Sequence, residues 1–155
     1  MADTASVADT ATVGKDARVF GNARVSGTAQ VYGDAQVFNA AQVFGNAKVF
    51  DNAKVFGNAL VFEQAHVFGS ARIRGNTQVF NDAQVSDEAR VFGEARIFGN
   101  AHVFSDACVA DRAKVFGNAQ VSGKAILSGD TKMSGDAKIL GAVLPVCSAS
   151  SILGW

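Results

Sequence analysis

Proline, tryptophan and tyrosine occur once each in these 155 residues, cysteine and histidine twice, and neither sign of charge is in excess. Each scarcity excludes something. Two cysteines, Cys108 and Cys147, cannot build a disulfide framework and suit a reducing compartment. Fourteen Lys and Arg balance fourteen Asp and Glu, so no net field draws nucleic acid or an anionic membrane. No apolar run approaches the roughly 20 residues that cross a bilayer. The start, Met1-Ala2-Asp3-Thr4, has neither the basic nor the apolar segment of a signal peptide. No phosphate loop, Cys-x-x-Cys pair or Ser-His-Asp grouping stands out. The expectation is a cytoplasmic protein without cofactor, metal, membrane or nucleic-acid partner.

What the chain has is a period of six that never slips. From Val7 to Ile139 every sixth residue is aliphatic: 18 Val, the three isoleucines Ile73, Ile97 and Ile139, Leu127 and Met133. Two residues before each stands a small residue, Ala in 21 cases and otherwise Thr77 or Thr131. The unit is Ala-x-Val-Phe-Gly-Asn, unaltered at Ala17 to Asn22, Ala41 to Asn46, Ala53 to Asn58 and Ala113 to Asn118. Self-similarity at a short fixed period marks a solenoid, whose units bury themselves only against neighbours.

Side-chain chemistry assigns directions within the unit. Ala and Val alternate with a polar x and with Phe, the period of two that a strand requires. The x column reads Arg18, Arg24, Gln30, Gln36, Gln42, Lys48, Lys54, so it faces water. Ala and Val then face inward, because the reverse would bury a column of cations. Thr77 and Thr131, in the Ala column, are expected inside as well, and scarce outward Thr argues against an ice-binding array. Pairs such as Gly21-Asn22, Gly33-Asp34 and Asn81-Asp82 close each hexad at a corner, where positive φ is needed.

The inward aliphatic, the small residue two before it and the Gly or Asn at the turn resemble the hexapeptide repeat of the left-handed β-helix acyltransferase superfamily. The resemblance covers roughly residues 3 to 142. It implies an all-β, single-stranded left-handed parallel β-helix, a triangular prism with three hexads to a turn. The hand follows from the resemblance alone. On that basis the 23 hexads form between seven and eight turns, about 35 Å long at one strand spacing per turn. One departure is consistent. All twelve phenylalanines follow the inward aliphatic, where those enzymes usually carry a small or acidic residue.

Folding at eighteen residues sorts these aromatics into columns. Phe44, Phe62, Phe80, Phe98 and Phe116 fall on one side. Tyr32, Phe50 and Phe68, then Ser86, then Phe104 fall on a second. Phe20, Phe38 and Phe56, then Arg74, then Phe92 fall on the third. Such columns serve as stabilising ladders shielded by Arg and Lys stems, or as an apolar interaction face. The second use implies a homo-oligomer, a dimer or trimer joined through a Phe-bearing face, or docking on another protein. A ligand captured on a ladder, such as a glycan or an aromatic group, is a third use. All fourteen acids fall at corners, and ten of fourteen bases at the outward x, a pattern read as solvated surface charge.

The functional expectation is a non-enzymatic structural or interaction scaffold. Superfamily enzymes place a catalytic His near a protruding loop and bind acyl-CoA between subunits. Here the register leaves no room for an extruded loop. His66 and His102, 36 residues apart, fall two turns apart with Gln84 between them. That is too far for a shared metal, and the related γ-class carbonic anhydrases need three histidines. An acyl-CoA site completed between subunits, using His66 or His102, is the enzymatic alternative. A filament element stacking through its open ends is another. Cys108, at an outward x, reads as a neutral replacement or a reactive thiol. The period fails after residue 141, dividing the chain into a β-helix (1–141) and a tail (142–155). The tail, through Leu153 and Trp155, is expected to cap the last turn.

Overall fold

The computed structural model describes residues 4–141. Among them each hexad contributes one short strand, from β1 (Ser6–Val7) to β23 (Lys138–Leu140), and there is no helix. Strands three apart pair in parallel, so the chain coils around three flat sheets as a triangular β-solenoid of about eight turns. The first face runs from β1 to β22 (Lys132–Met133) and holds eight strands. The second runs from β2 (Thr12–Val13) to β23, also with eight. The third runs from β3 (Arg18–Val19) to β21 (Ile126–Leu127), with seven.

Register is set by the sequence period. Val61 pairs with Val43 above and Val79 below, and the x residues Gln42, Leu60 and Gln78 align likewise. A slip of one residue would turn the Val column into water and the x column into the core. Backbone amides bond one turn on, as in Arg18 N–H to Ala35 C=O at 2.9 Å and Phe20 N–H to Val37 C=O at 3.1 Å. The interior is the Ala and Val columns, wholly buried without a break from Ala23 to Ala125, with Ile73, Thr77 and Ile97 as their variants. No phenylalanine belongs to that core.

The terminal turns differ because nothing described stacks beyond them. Val7 is 50% exposed although its column is otherwise interior. Thr77 is fully buried as expected, but Thr131 is exposed and its hydroxyl donates to the Ser128 carbonyl at 2.7 Å. Thr131 stands in the Ala column as expected, but at the end of the described turns it is not covered. Its column ends there within the described residues, and the hydroxyl finds a local carbonyl instead. The expected cap (Leu153, Trp155) and Cys147 lie outside the described residues.

Corners carry the tightest geometry. The first corner residue has φ near +60° whether it is Gly33 (φ 67) or Asp51 (φ 58) one turn on. A Cβ placed on Gly33 would come within 2.9 Å of the Asp51 amide nitrogen. At such a corner the stacked turns approach closely enough that glycine is the least strained choice.

Candidate functional site

The three faces are the only extensive surfaces that the described fold offers, so function is sought on them. On the first face, Phe44, Phe62, Phe80, Phe98 and Phe116 form an unbroken ladder. Their centroids are 4.9 to 5.0 Å apart and their planes diverge by no more than 5°. Identical rotamers one strand spacing apart produce offset stacking, worth about 0.5–1.5 kcal/mol per contact beyond burial. The rings cover one another's faces, so the half-buried ladder turns mainly ring edges to solvent. Beside it Leu60 replaces the polar x, between Gln42 and Gln78, and leaves an uncharged centre on this face.

The second face carries Tyr32, Phe50 and Phe68 at 4.9 Å steps, then Ser86, then Phe104. Burial, and then the Asp51 carboxylate, push the Tyr32 phenol above its ordinary value. On the third face Phe20, Phe38 and Phe56 stack at 4.8 to 4.9 Å. There the Arg18 guanidinium lies 5.6 Å from the Phe20 centroid, and that of Arg74 lies 4.9 Å from the Phe92 centroid. Phe92, expected at the surface, is only 8% exposed. The shielding anticipated from x-position stems is present at Arg18, whereas Arg74 stands in the aromatic column itself and meets the next ring from there.

The histidines are apart. His66 pairs with Lys48 and Gln84, and His102 with Gln84 and Gln120. The His66 ring meets Phe50 edge-on at 6.5 Å. Burial and the neighbouring Lys48 lower its pKa, with Asp82 opposing. Among the described residues no group of three His, Cys, Asp or Glu is placed to hold a metal ion. Cys108 is a half-buried thiol between Arg90 and Ile126 on the third face.

The corners hold a role that composition did not reveal. Where the first corner residue is acidic, its carboxylate accepts the amide N–H of the corner one turn on. Asp9 takes Gly27 at 2.9 Å, Asp51 takes Gly69 at 3.1 Å, Asp87 takes Ser105 at 2.9 Å and Asp111 takes Gly129 at 2.9 Å. These amides lie between the backbone rungs, so the acids are structural acceptors as well as solvated charges. The second corner residues form side-chain ladders, including Asn58 to Asn76 at 3.0 Å, and Asn100 to Asn118 to Asp136 at 3.1 and 2.9 Å. The second set was legible, since its members stand eighteen residues apart; the acids at 9, 51, 87 and 111 do not, and their acceptor role follows from a backbone amide rather than from a repeated side chain.

Among the described residues no helix is long and apolar enough to cross a membrane. No family model and no curated protein matches the chain. Among solved structures, a Bacillus cereus protein described as a "putative acetyltransferase" is similar over 95% of this chain and 80% of its own. The identity is 13% and the TM-score 0.41.

Proposed function

We propose that this chain is a non-enzymatic scaffold that self-associates through its first face. The observation that carries the reading is the unbroken five-ring ladder from Phe44 to Phe116, half-buried on a flat sheet. Gln42, Leu60 and Gln78 run beside its upper part without a formal charge. A second copy laid on that centre buries Phe edges and Leu60 without bringing like charges into the middle of the contact. Corner carboxylates engaged with backbone amides, and a register without insertions, suit a rigid surface better than a mobile site.

Sedimentation velocity across a wide concentration range tests the proposal. Self-association is expected in the native chain, and Leu60→Glu is expected to give a folded monomer by placing a desolvated carboxylate in the contact. A native chain that stays monomeric at the highest concentration, or a Leu60→Glu variant that associates as before, overturns it.

A second reading, acyl transfer at a site completed between subunits, is favoured by one observation. His66, whose pKa is lowered by burial and by Lys48, sits edge-on to Phe50 and is an imidazole able to accept a proton. Binding of an acyl-CoA ester that is lost in His66→Gln is the result expected on that reading.

A further inference from the structure

The aromatic columns are interrupted by one residue at two places, and the chain fills the two gaps differently. On the third face the interruption between Phe56 and Phe92 is Arg74, whose planar guanidinium stacks 4.9 Å from the Phe92 centroid. On the second face the interruption between Phe68 and Phe104 is Ser86. Val67 pairs with Val85 and Val85 with Val103, so residues 68, 86 and 104 stand in one column. Phe68 and Phe104 are therefore two strand steps apart, where each step in the ladder above is 4.9 Å. Two steps leave room for one planar layer, and a hydroxymethyl group does not supply it.

The corners beside that gap carry acids, with Arg90 standing past them on the third face. Asp87 and Glu88 follow Ser86 directly, and Asp106 sits at the corner after Phe104. One oxygen of Asp87 accepts the Ser105 amide at 2.9 Å, which anchors its carboxylate at this corner. On the opposite flank the x column presents His66, Gln84 and His102, with Lys48 a turn further up. A planar cation is thus favoured over a neutral ring or an anion, and a guanidinium is the group the chain itself uses in the equivalent place.

We propose that the interruption at Ser86 is a slot for the guanidinium of an arginine on a partner polypeptide, layered between Phe68 and Phe104 beside the Asp87–Glu88 corner. The slot lies on the second face and is independent of self-association through the first. Arginine fits where lysine does not, because only the guanidinium is flat enough to lie parallel to both rings.

The test is an NMR titration of the full chain with N-acetylargininamide, with N-acetyllysinamide as comparator, followed on the aromatic signals of Phe68 and Phe104. The arginine derivative is expected to shift both rings, with a dissociation constant of about 10 mM, and the lysine derivative to act at least about tenfold more weakly. Ser86→Phe places a ring in the gap and is expected to abolish the response. If that variant fails to fold, Ser86→Arg fills the same space and is read in the same way. An equal response to lysine, a response that persists in the filled variant, or none by about 50 mM overturns the proposal.

Discussion

Thr77 is the residue whose chemistry is least served by its place. It stands in the Ala column, fully buried, and its hydroxyl has no partner among the described residues. A buried hydroxyl without a hydrogen bond costs about 1–3 kcal/mol. Thr77→Val keeps the shape and removes the polar atom, so it is expected to raise the unfolding free energy by about 1 kcal/mol in urea denaturation. A loss of stability would show that the hydroxyl is satisfied after all. That Thr77 points inward was legible from the period, whereas its lack of a partner was not, because that depends on which carbonyls face it.

His66 gives a second residue-scale prediction. Burial and Lys48 hold its folded pKa below the unfolded value, so the unfolded chain binds the proton more readily. This group's contribution is therefore neutral well above the unfolded pKa of about 6.5 and becomes destabilising as pH falls through it. His66→Gln is expected to lose less stability than the native chain between pH 7.5 and about 5.5, as read by thermal midpoint at each pH. An identical pH slope in the two proteins would refute that assignment.

At the scale of the element, the corner and the ladder make different demands. Asp87 supplies both positive φ and an acceptor for the Ser105 amide. Asp87→Gly keeps the backbone conformation and removes the acceptor, at a cost of about 1 kcal/mol, whereas Asp87→Asn is expected to cost less than half of that. In the ladder, Phe80 has a ring on each side and Phe116 on one only. Phe80→Ala is expected to cost roughly 1 kcal/mol more than Phe116→Ala, the value of one additional stacked contact. Equal costs would mean that the rings contribute through burial alone. The columns themselves followed from folding the chain at eighteen residues. Which faces the rings present did not, since the tilt that joins ring to ring depends on a shared rotamer and the actual strand spacing.

At the scale of the molecule, each turn touches only the turns above and below, so stability is distributed along the axis. Val7 is half exposed, whereas Val61 is fully buried between Val43 and Val79. Val61→Ala is accordingly expected to cost about 2 kcal/mol and Val7→Ala less than about 0.5 kcal/mol. Hydrogen exchange should likewise be slowest in the middle turns and fastest in the first. Uniform protection from one end to the other would contradict a nearest-neighbour solenoid.

The sequence alone determined a solenoid of hexads with inward Ala and Val and outward aromatics, because a strict period of six leaves a single register in which cations stay in water. Three hexads to a turn, and with it the eighteen-residue alignment of the columns, was implied by the family resemblance and is what the strand pairing shows. Only the tertiary structure decided what neighbouring turns do to one another: rings closing over rings, Arg74 lying on Phe92, corner carboxylates taking the next turn's amides, and Thr131 left exposed. Those contacts join residues eighteen or so apart through side-chain reach and angle, quantities that a repeating pattern of residue types constrains but does not contain.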